Sequence, residues 1–323
     1  MRALQLFATG GALPARVVTN EDLSRQVETS DEWITSRTGI RQRHFCTEEE
    51  DAATLAVAAA RQALERSGLA ADRIGCCVCA TLSAPHATPS TACLVQAALG
   101  LREEIPVLDV NAACSGFLYG AAAARGLLEA TGERYALVVG CEALSRLLDM
   151  TDRSTCVLFG DGAGAGIFEM ADDAEGDFAV TLGARGSTAL TAPGPGAARK
   201  GAPGYVEMDG RAVFRFAAEA IPRCTRALLA QSGLALEAVD WVVCHQANER
   251  IIDHCVKELG APPEKFFKNL AHTGNTSAAS IPLALNELYE TGRLRAGQRL
   301  LCVGFGGGLT WAGMLLRYMG GEV

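Results

Sequence analysis

Three side chains in this sequence have the chemistry for covalent work on a thioester: a cysteine and a histidine at the ends of apolar runs, and a carboxamide at a helix start. Residues 105–110 are apolar and rich in β-branched types, the run stops at small residues, and a helical pattern starts near Ser115 and continues to about Ala130. Cys114 therefore sits where a buried strand turns into a helix. The unpaired N–H groups and partial positive charge of a helix start favour an anion. A free cysteine ionises at about 8.5 and a helix N-terminus lowers that, so a thiolate at neutral pH is expected here. Gly116 and the nearby alanines leave room for a substrate to approach the sulfur. Taken alone, the position fits a small buried core thiol, the usual fate of a cysteine, better than a nucleophile.

The apolar run 238–244 delivers His245-Gln-Ala-Asn248, and His272-Thr-Gly-Asn-Thr-Ser277 places Asn275 at another helix start. Of five histidines, His245 alone directly follows a strongly apolar strand, a place where a satisfied structural histidine is also common. A nucleophile, an imidazole and an amide brought from three strand or loop ends suit covalent thioester chemistry.

An internal duplication would bring them together. Residues 238–244 match 74–79 as a strand entering a loop, and 277–292 followed by 298–304 matches the helix after Cys114 followed by 135–140. Residues 301–318, with their glycine cluster, echo 157–170. Two such units predict an α/β fold with pseudo-twofold symmetry. The expected halves are 1–172 and 173–323, with the acidic stretch 172–177 as the seam. The loop before Ser277 is then the counterpart of the Cys114 loop, and both open on one cleft.

The rest of the chain reads as support for that cleft. The apolar stretch 4–15, interrupted by Gln5, Gly10 and Gly11, suits a first strand and turn better than a signal peptide. Thr19 and Thr29-Ser30 are N-caps of short helices, 52–68 has amphipathic helical spacing ending at glycine, and 74–81, 90–99 and 135–140 read as strand, helix and strand. Trp33 with Arg37, Arg41 and Arg43 is either a solvated face or a site that stacks a flat ring and holds phosphates. Gly160-Asp-Gly-Ala-Gly-Ala-Gly166 invites a dinucleotide-binding reading, but Ile167-Phe-Glu-Met is strand-like, so a strand pair with close backbone approach is expected. The Pro/Gly/Ala-rich stretch 194–204 is expected on the surface.

Composition narrows the classes. The 323 residues are 49% hydrophobic and 20% charged, which suits a large, well-buried α/β protein. A formal charge of −8 argues against general nucleic-acid binding, and no segment is long and apolar enough to span a membrane. Twelve cysteines lie mostly inside apolar runs rather than in a disulfide framework, which implies a reducing cytoplasm. Cys76-Cys77-Val78-Cys79 contains a C-x-x-C, but on a strand Cys76 and Cys79 point to opposite faces and no second pair is near, so core is expected rather than zinc or redox chemistry.

With these residues in place, the chain resembles the β-ketoacyl-acyl carrier protein synthase III family of the thiolase superfamily. The resemblance runs through Ser36-Arg-Thr-Gly-Ile-Arg41, Ala112-Ala-Cys-Ser-Gly-Phe117, Phe159-Gly-Asp-Gly-Ala-Gly164, His245-Gln-Ala-Asn248, Gly274-Asn-Thr-Ser-Ala-Ala-Ser280 and Phe305-Gly-Gly-Gly-Leu-Thr-Trp311. It implies a thiolase-like, five-layered αβαβα sandwich, a homodimer, and a triad of Cys114, His245 and Asn275. It implies that Cys114 takes an acyl group from acyl-coenzyme A, with the oxyanion held by the N–H groups of Cys114 and Gly307. Malonyl-acyl carrier protein would then lose carbon dioxide against His245 and Asn275 and condense, initiating fatty acid synthesis. No metal or redox cofactor is implied; coenzyme A thioester is a substrate.

The same resemblance implies that Trp33 and Arg153 sandwich the adenine, Arg37 meets phosphate, and Thr29, Phe214 and Asn248 line the pantetheine tunnel. Arg215, Arg250 and Lys257 would dock the acidic carrier protein. Two positions depart from the family's habit. Thr88 stands where many members carry a phenylalanine that closes the acyl pocket across the dimer, which implies a deeper pocket. Glu249 replaces a commonly apolar residue beside the docking patch. Other readings are a secondary-metabolism ketosynthase or acyltransferase using another acceptor, a nicotinamide-dependent oxidoreductase using the glycine clusters, and a non-catalytic scaffold. Intact His245 and Asn275 favour condensation over simple acyl transfer, and the glycines lack the strand-glycine-helix arrangement that a nicotinamide site needs.

Overall fold

The apolar runs of the N-terminal part fold into β1 (Arg2–Ala12), β2 (Arg16–Thr19), β3 (Gln42–Phe45), β4 (Ile74–Ala80), β5 (Val107–Val110), β6 (Tyr135–Glu142) and β7 (Gly162–Asp172). Among them lie helices α1 (Asn20–Ser24), α2 (Asp31–Thr38), α3 (Ala52–Ser67), α4 (Thr91–Leu99) and α5 (Gly116–Thr131). The C-terminal part contributes β8 (Ala179–Ser187), β9 (Leu190–Thr191), β10 (Glu207–Met208), β11 (Trp241–Cys244), β12 (Arg299–Gly306) and β13 (Gly308–Arg317). Its helices are α6 (Gly210–Ser232), α7 (Glu249–Leu259), α8 (Leu270–Thr273) and α9 (Ser280–Glu290). This computed structural model describes residues 2–172, 176–194 and 204–321.

Two large sheets carry the architecture, one ordered β1-β7-β6-β4-β5 and the other β8-β13-β12-β11. They match strand for strand: β4 and β11 lie parallel to β6 and β12, which in turn pair antiparallel with β7 and β13. The partner of β5 shrinks to a single parallel bridge between Val242 and Phe266. Residues 173–175, within the expected seam, lie outside the described residues, as do 195–203 of the expected surface loop. Asp177, just past that gap, is buried and accepts from Arg299 Nε at 2.8 Å and from the Arg317 guanidinium, which ties it to the second sheet.

Side-chain alternation along the strands sorts the core into layers. Ala56, Ala59 and Ala63 of α3 pack on Cys77, Cys79 and Ile167 at one outer face. Phe117 and Ala121 of α5 and Ile281 and Leu285 of α9 fill the middle, between Val78 of one sheet and Met314 of the other. Ala220 of α6 and Ile252 of α7 cover Leu301 and Val303 on the far face. The result is the five-layered αβαβα sandwich. Cys76 faces the middle layer while Cys77 and Cys79 face the outer one, so the C-x-x-C sulfurs diverge as strand geometry requires. Among the described residues no helix is long and apolar enough to cross a membrane.

The glycine run 160–166 differs from the expected strand pair. It enters a single strand, β7, hydrogen-bonded to β1 on one side and β6 on the other. Its glycines admit α9: a Cβ at Gly164 would lie 2.6 Å from the Leu283 backbone nitrogen. No helix follows the run, so no helix N-terminus is available for a pyrophosphate.

Close approach also joins the two halves. A Cβ on Gly140 of β6 would sit 2.2 Å from Ala278 O, in the turn that precedes α9. A Cβ on Gly304 of β12 would sit 3.0 Å from Ser115 Cα, in the turn that precedes α5. Each half thus presses its central strand on the other's helix-start turn. Gly140→Ala should destabilise the protein by about 2–3 kcal/mol, as overpacking against fixed backbone does, read as a lowered urea midpoint with unchanged slope.

Candidate active site

The two helix-start turns align residue by residue. Asn111-Ala-Ala-Cys-Ser-Gly116 matches Asn275-Thr-Ser-Ala-Ala-Ser280, and each forms one 3-10 turn before its helix, at Ala113–Ser115 and Ser277–Ala279. Ala113 and Ser277 both have positive φ, 46° and 48°. The Asn111 and Asn275 Oδ1 atoms accept from the N–H two residues on, at 3.1 and 3.0 Å. In Asn275 this bond commits the oxygen and leaves the amide N–H groups for the cavity. Asn275 is held further by its N–H to Leu158 O and its O to Gly160 N–H, both at 2.9 Å.

Cys114 lies under β12, where Gly306 makes space for it: a Cβ there would come 2.8 Å from Cys114 Cβ and 3.1 Å from its sulfur. Thr310 Oγ1, from β13, braces the turn by donating to Ala112 O at 2.8 Å. The expected thiolate is not the resting form. Burial pushes the Cys114 thiol up to about 12, and the nearby Glu142 carboxyl adds to this. The Ser277 hydroxyl and the N–H groups of Cys114 and Gly307 pull the other way but do not compensate. At 5% exposure, desolvation of the anion outweighs the helix start. The two N–H groups that act on the sulfur are those for which the family resemblance implies an oxyanion hole.

His245 leaves β11 with its N–H on Val303 O at 2.8 Å. Its Nδ1 lies 2.6 Å from Ser280 Oγ, and that oxygen also accepts from Gln246 N–H at 3.4 Å. In the tautomer with its proton on Nε2, the ring accepts the Ser280 hydroxyl proton at Nδ1. Burial lowers the imidazole pKa to about 3, so the ring is neutral. Phe305 meets it edge-on at 5.0 Å. Gln246 Nε2 donates to Cys244 O and Phe267 O, fixing the loop that carries the ring.

Cys114, His245 and Asn275 line one cavity of about 260 Å³ that reaches the surface beside Trp33, Arg37 and Arg153. The Arg153 guanidinium rests 5.2 Å from the Trp33 ring centroid and that of Arg37 lies 5.9 Å from it. Phe214 and Asn248 line the same passage; Asn248 also caps α7 and donates to Arg37 O at 3.0 Å. Thr29 departs from expectation. It belongs to a separate recess with Asn20 and Asp31, because the Ser30 cap turns the chain there before α2 begins.

A second cavity of about 330 Å³ leads from Cys114 and Gly307 past Leu144, Leu190 and Val206. Thr88 is exposed and not among its lining residues within one chain. Arg215, Arg250 and Lys257 are exposed on the neighbouring helices α6 and α7. Glu249 is paired with Lys268 Nζ at 3.0 Å and packs over Gly39, so its charge is partly matched. Sequence reasoning missed Ser280 and Gly306. Ser280 was accessible from the aligned helix starts; the need for Gly306 shows only where β12 crosses the Cys114 turn.

Comparison with known proteins agrees along the chain. Residues 108–186 match the family model for 3-oxoacyl-[acyl-carrier-protein] synthase III, and residues 229–318 match the model for the C-terminal part of the same enzymes. The chain is 46% identical to a β-ketoacyl-[acyl-carrier-protein] synthase III of Rhodospirillum rubrum, over 95% of this chain and 97% of that one. It is 44% identical to one of Thiobacillus denitrificans, over 97% and 99%. The crystal structure of the Thermus thermophilus enzyme superposes with a TM-score of 0.92 at 39% identity, covering 98% of this chain and 99% of the other.

The neutral imidazole has a consequence for stability. His245 ionises at about 3 when folded against an ordinary value of 6.5, so the unfolded chain binds the proton first as pH falls. Its contribution is present above about pH 6.5 and is lost progressively toward pH 3, about 2 kcal/mol being gone by about pH 5. Urea unfolding at about pH 5 and pH 8 should show a difference of that size between the acid sensitivities of the wild type and His245→Gln. Equal pH dependence in the two proteins would contradict a buried neutral ring.

Proposed function

The chain belongs to the β-ketoacyl-[acyl-carrier-protein] synthase III family, and from that premise we propose that Cys114, His245 and Asn275 are its catalytic residues. The protein is a condensing acyltransferase. It joins an acyl-coenzyme A primer to malonyl-acyl carrier protein by decarboxylative Claisen condensation, the initiating step of fatty acid synthesis. The observation that carries the residue assignment is the single cavity shared by those three side chains, with two backbone N–H groups directed at the sulfur.

In the first half-reaction Cys114 attacks the primer thioester, and the oxyanion is held by the N–H groups of Cys114 and Gly307. Donors fixed in advance of this charge are worth roughly 3–4 kcal/mol each. Coenzyme A is positioned by Trp33 and Arg153 on its adenine, by Arg37 on phosphate, and by Phe214 and Asn248 along the pantetheine. In the second half-reaction malonate loses carbon dioxide, and negative charge grows on its thioester oxygen. His245 Nε2–H and the Asn275 amide donate to that enolate. A neutral imidazole suits this role, since it donates a hydrogen bond without surrendering its proton. The carbanion then attacks the acyl-cysteine. Neither half-reaction calls for a metal or redox cofactor.

The halves 1–172 and 173–323 are read as copies of one ancestral unit, with function divided between them. The protein acts as a homodimer in which Thr88 reaches the partner's acyl cavity, and Arg215, Arg250 and Lys257 receive the acidic carrier protein.

Intact-mass measurement after mixing with acyl-coenzyme A should show one acyl adduct, absent in Cys114→Ala. Asn275→Ala should keep the adduct but lose condensation by at least about 100-fold, and Arg250→Glu should keep it while weakening carrier-protein use. Loss of adduct and condensation together in either variant would sink its assigned role. A panel of acetyl-, isobutyryl- and octanoyl-coenzyme A should show acceptance beyond acetyl, with Thr88→Phe shifting preference toward the shortest primer. Strict acetyl use by the wild type would defeat the deep-pocket reading.

A further inference from the structure

A neutral imidazole carries one N–H, on Nδ1 or on Nε2, and the enolate role needs it on Nε2. Ser280 meets the other nitrogen. Its Oγ lies 2.6 Å from His245 Nδ1 and accepts from Gln246 N–H at 3.4 Å, with serine and ring 2% and 1% exposed. The hydroxyl has one proton to give. Were the ring proton on Nδ1, Oγ would receive two N–H donors, and its own proton would have no acceptor among the described residues, a buried donor left unpaired. With the ring proton on Nε2, the hydroxyl donates to Nδ1 and accepts from Gln246. The ring's own N–H then serves the cavity that His245 lines.

The internal duplication supplies a control. Ser280 stands opposite Gly116 in the aligned turns. Ala80 pairs with Gly140, and His245 follows Cys244, which pairs with Val303, so His245 stands beside Gly304 as Ala80 stands beside Gly140. In the N-terminal copy the matching contact is therefore Gly116 against Ala80, where an added Cβ would meet Ala80 Cβ at 3.0 Å. That turn starts its helix with no hydroxyl at this position, so the fold does not require one. The serine stands in the copy that carries the imidazole. Its backbone is fixed by its N–H on Ser277 O, which closes the 3-10 turn. Asn275 is arranged alike, with Oδ1 committed to Ser277 N–H at 3.0 Å and the amide N–H groups left for the cavity. In both side chains the protein occupies the acceptor and leaves a donor for the substrate.

We propose that Ser280 is the positioning residue for His245, its hydroxyl holding the ring in the tautomer and orientation that present an Nε2–H donor to the enolate. The proposal rests on the condensing reading. Ser280 touches no substrate and exchanges no proton; it acts through the ring. A hydroxyl does this without the charge of a carboxylate, which would raise the ring's affinity for a second proton. The imidazole stays neutral and keeps its N–H as charge grows on the thioester oxygen, in keeping with the burial that lowers its pKa to about 3.

The test uses the full chain carrying nitrogen-15-labelled histidine. Proton–nitrogen correlation spectra of the imidazoles report which ring nitrogen bears the proton, and the His245 signals are those missing in His245→Gln. The wild type should show the Nε2–H form at neutral pH; an Nδ1–H form would overturn the proposal. In Ser280→Ala the signals should move toward the Nδ1–H form. Its condensation kcat should fall about 10- to 100-fold with KM for malonyl-carrier protein little changed. Adduct formation from acyl-coenzyme A should fall by less than about threefold, which also shows that the variant folds. A Ser280→Ala protein that keeps the wild-type tautomer, keeps the condensation rate, or loses adduct and condensation equally would overturn the proposal. If Ser280→Ala fails to fold, the wild-type spectrum still tests the tautomer on which the proposal stands. That spectrum needs no substrate, so a wild type that fails to condense would count against the condensing reading and leave the tautomer to be judged by the spectrum.

Discussion

The constraint on which the rest of this structure depends is the crossing of each half's central strand over the other half's helix-start turn, through a glycine. Gly304 and Gly306 let β12 lie against the Cys114 turn, and Gly140 lets β6 lie against the Asn275 turn. Any side chain there would collide with backbone or with the sulfur itself. The same contacts bury the nucleophile, bring Gly307 N–H toward it, and set the two turns on one cavity. Packing and site geometry are here a single arrangement: the strand that completes the core is also the one whose glycine makes room for the sulfur.

Burial sets the electrostatic character of the site. Desolvation is the largest influence on Cys114, His245 and Glu142 alike. Thiol and imidazole are neutral at rest, and the carboxyl sits near the middle of its titration at neutral pH. Neither the sulfur nor the imidazole carries a charge before substrate binds. That suits a reaction whose two anionic centres, a tetrahedral oxyanion and an enolate, exist only in passing.

The duplication is informative where it breaks. Cys114 stands opposite Ala278, and Gly116 opposite Ser280. Glu142 at the end of β6 stands opposite Gly306 at the end of β12. The cysteine thus belongs to one turn, and Ser280, which meets the His245 ring, follows the other. Asn111 and Asn275 hold the same backbone geometry in both copies, yet Asn111 is exposed while Asn275 is buried on the cavity. The shared asparagine is thus first a device for shaping the turn, and Asn275 also lines the cavity it shares with Cys114 and His245.

The periodicity of the chain was enough to locate the strands and helices that deliver Cys114, His245 and Asn275, because each is a local run with a local cap or a terminating glycine; α6 and α7, which wall the same cavity, were not read from it. It was also enough to pair the Cys114 loop with the loop before Ser277, since both begin a helix after small residues. What local sequence could not supply was the dielectric environment. From its neighbours in the chain Cys114 reads as a thiolate at a helix start; from its neighbours in space it is a buried thiol. The Ser280 hydroxyl against the His245 ring, the space that Gly306 leaves for the sulfur and the recess that holds Thr29 likewise depend on residues brought together by the fold. Sequence patterns determine which groups arrive at the cleft, because hydrophobic period and capping act over a few residues. Tertiary structure decides their charge state and partners, because desolvation and hydrogen bonding depend on whatever the fold places within a few ångströms.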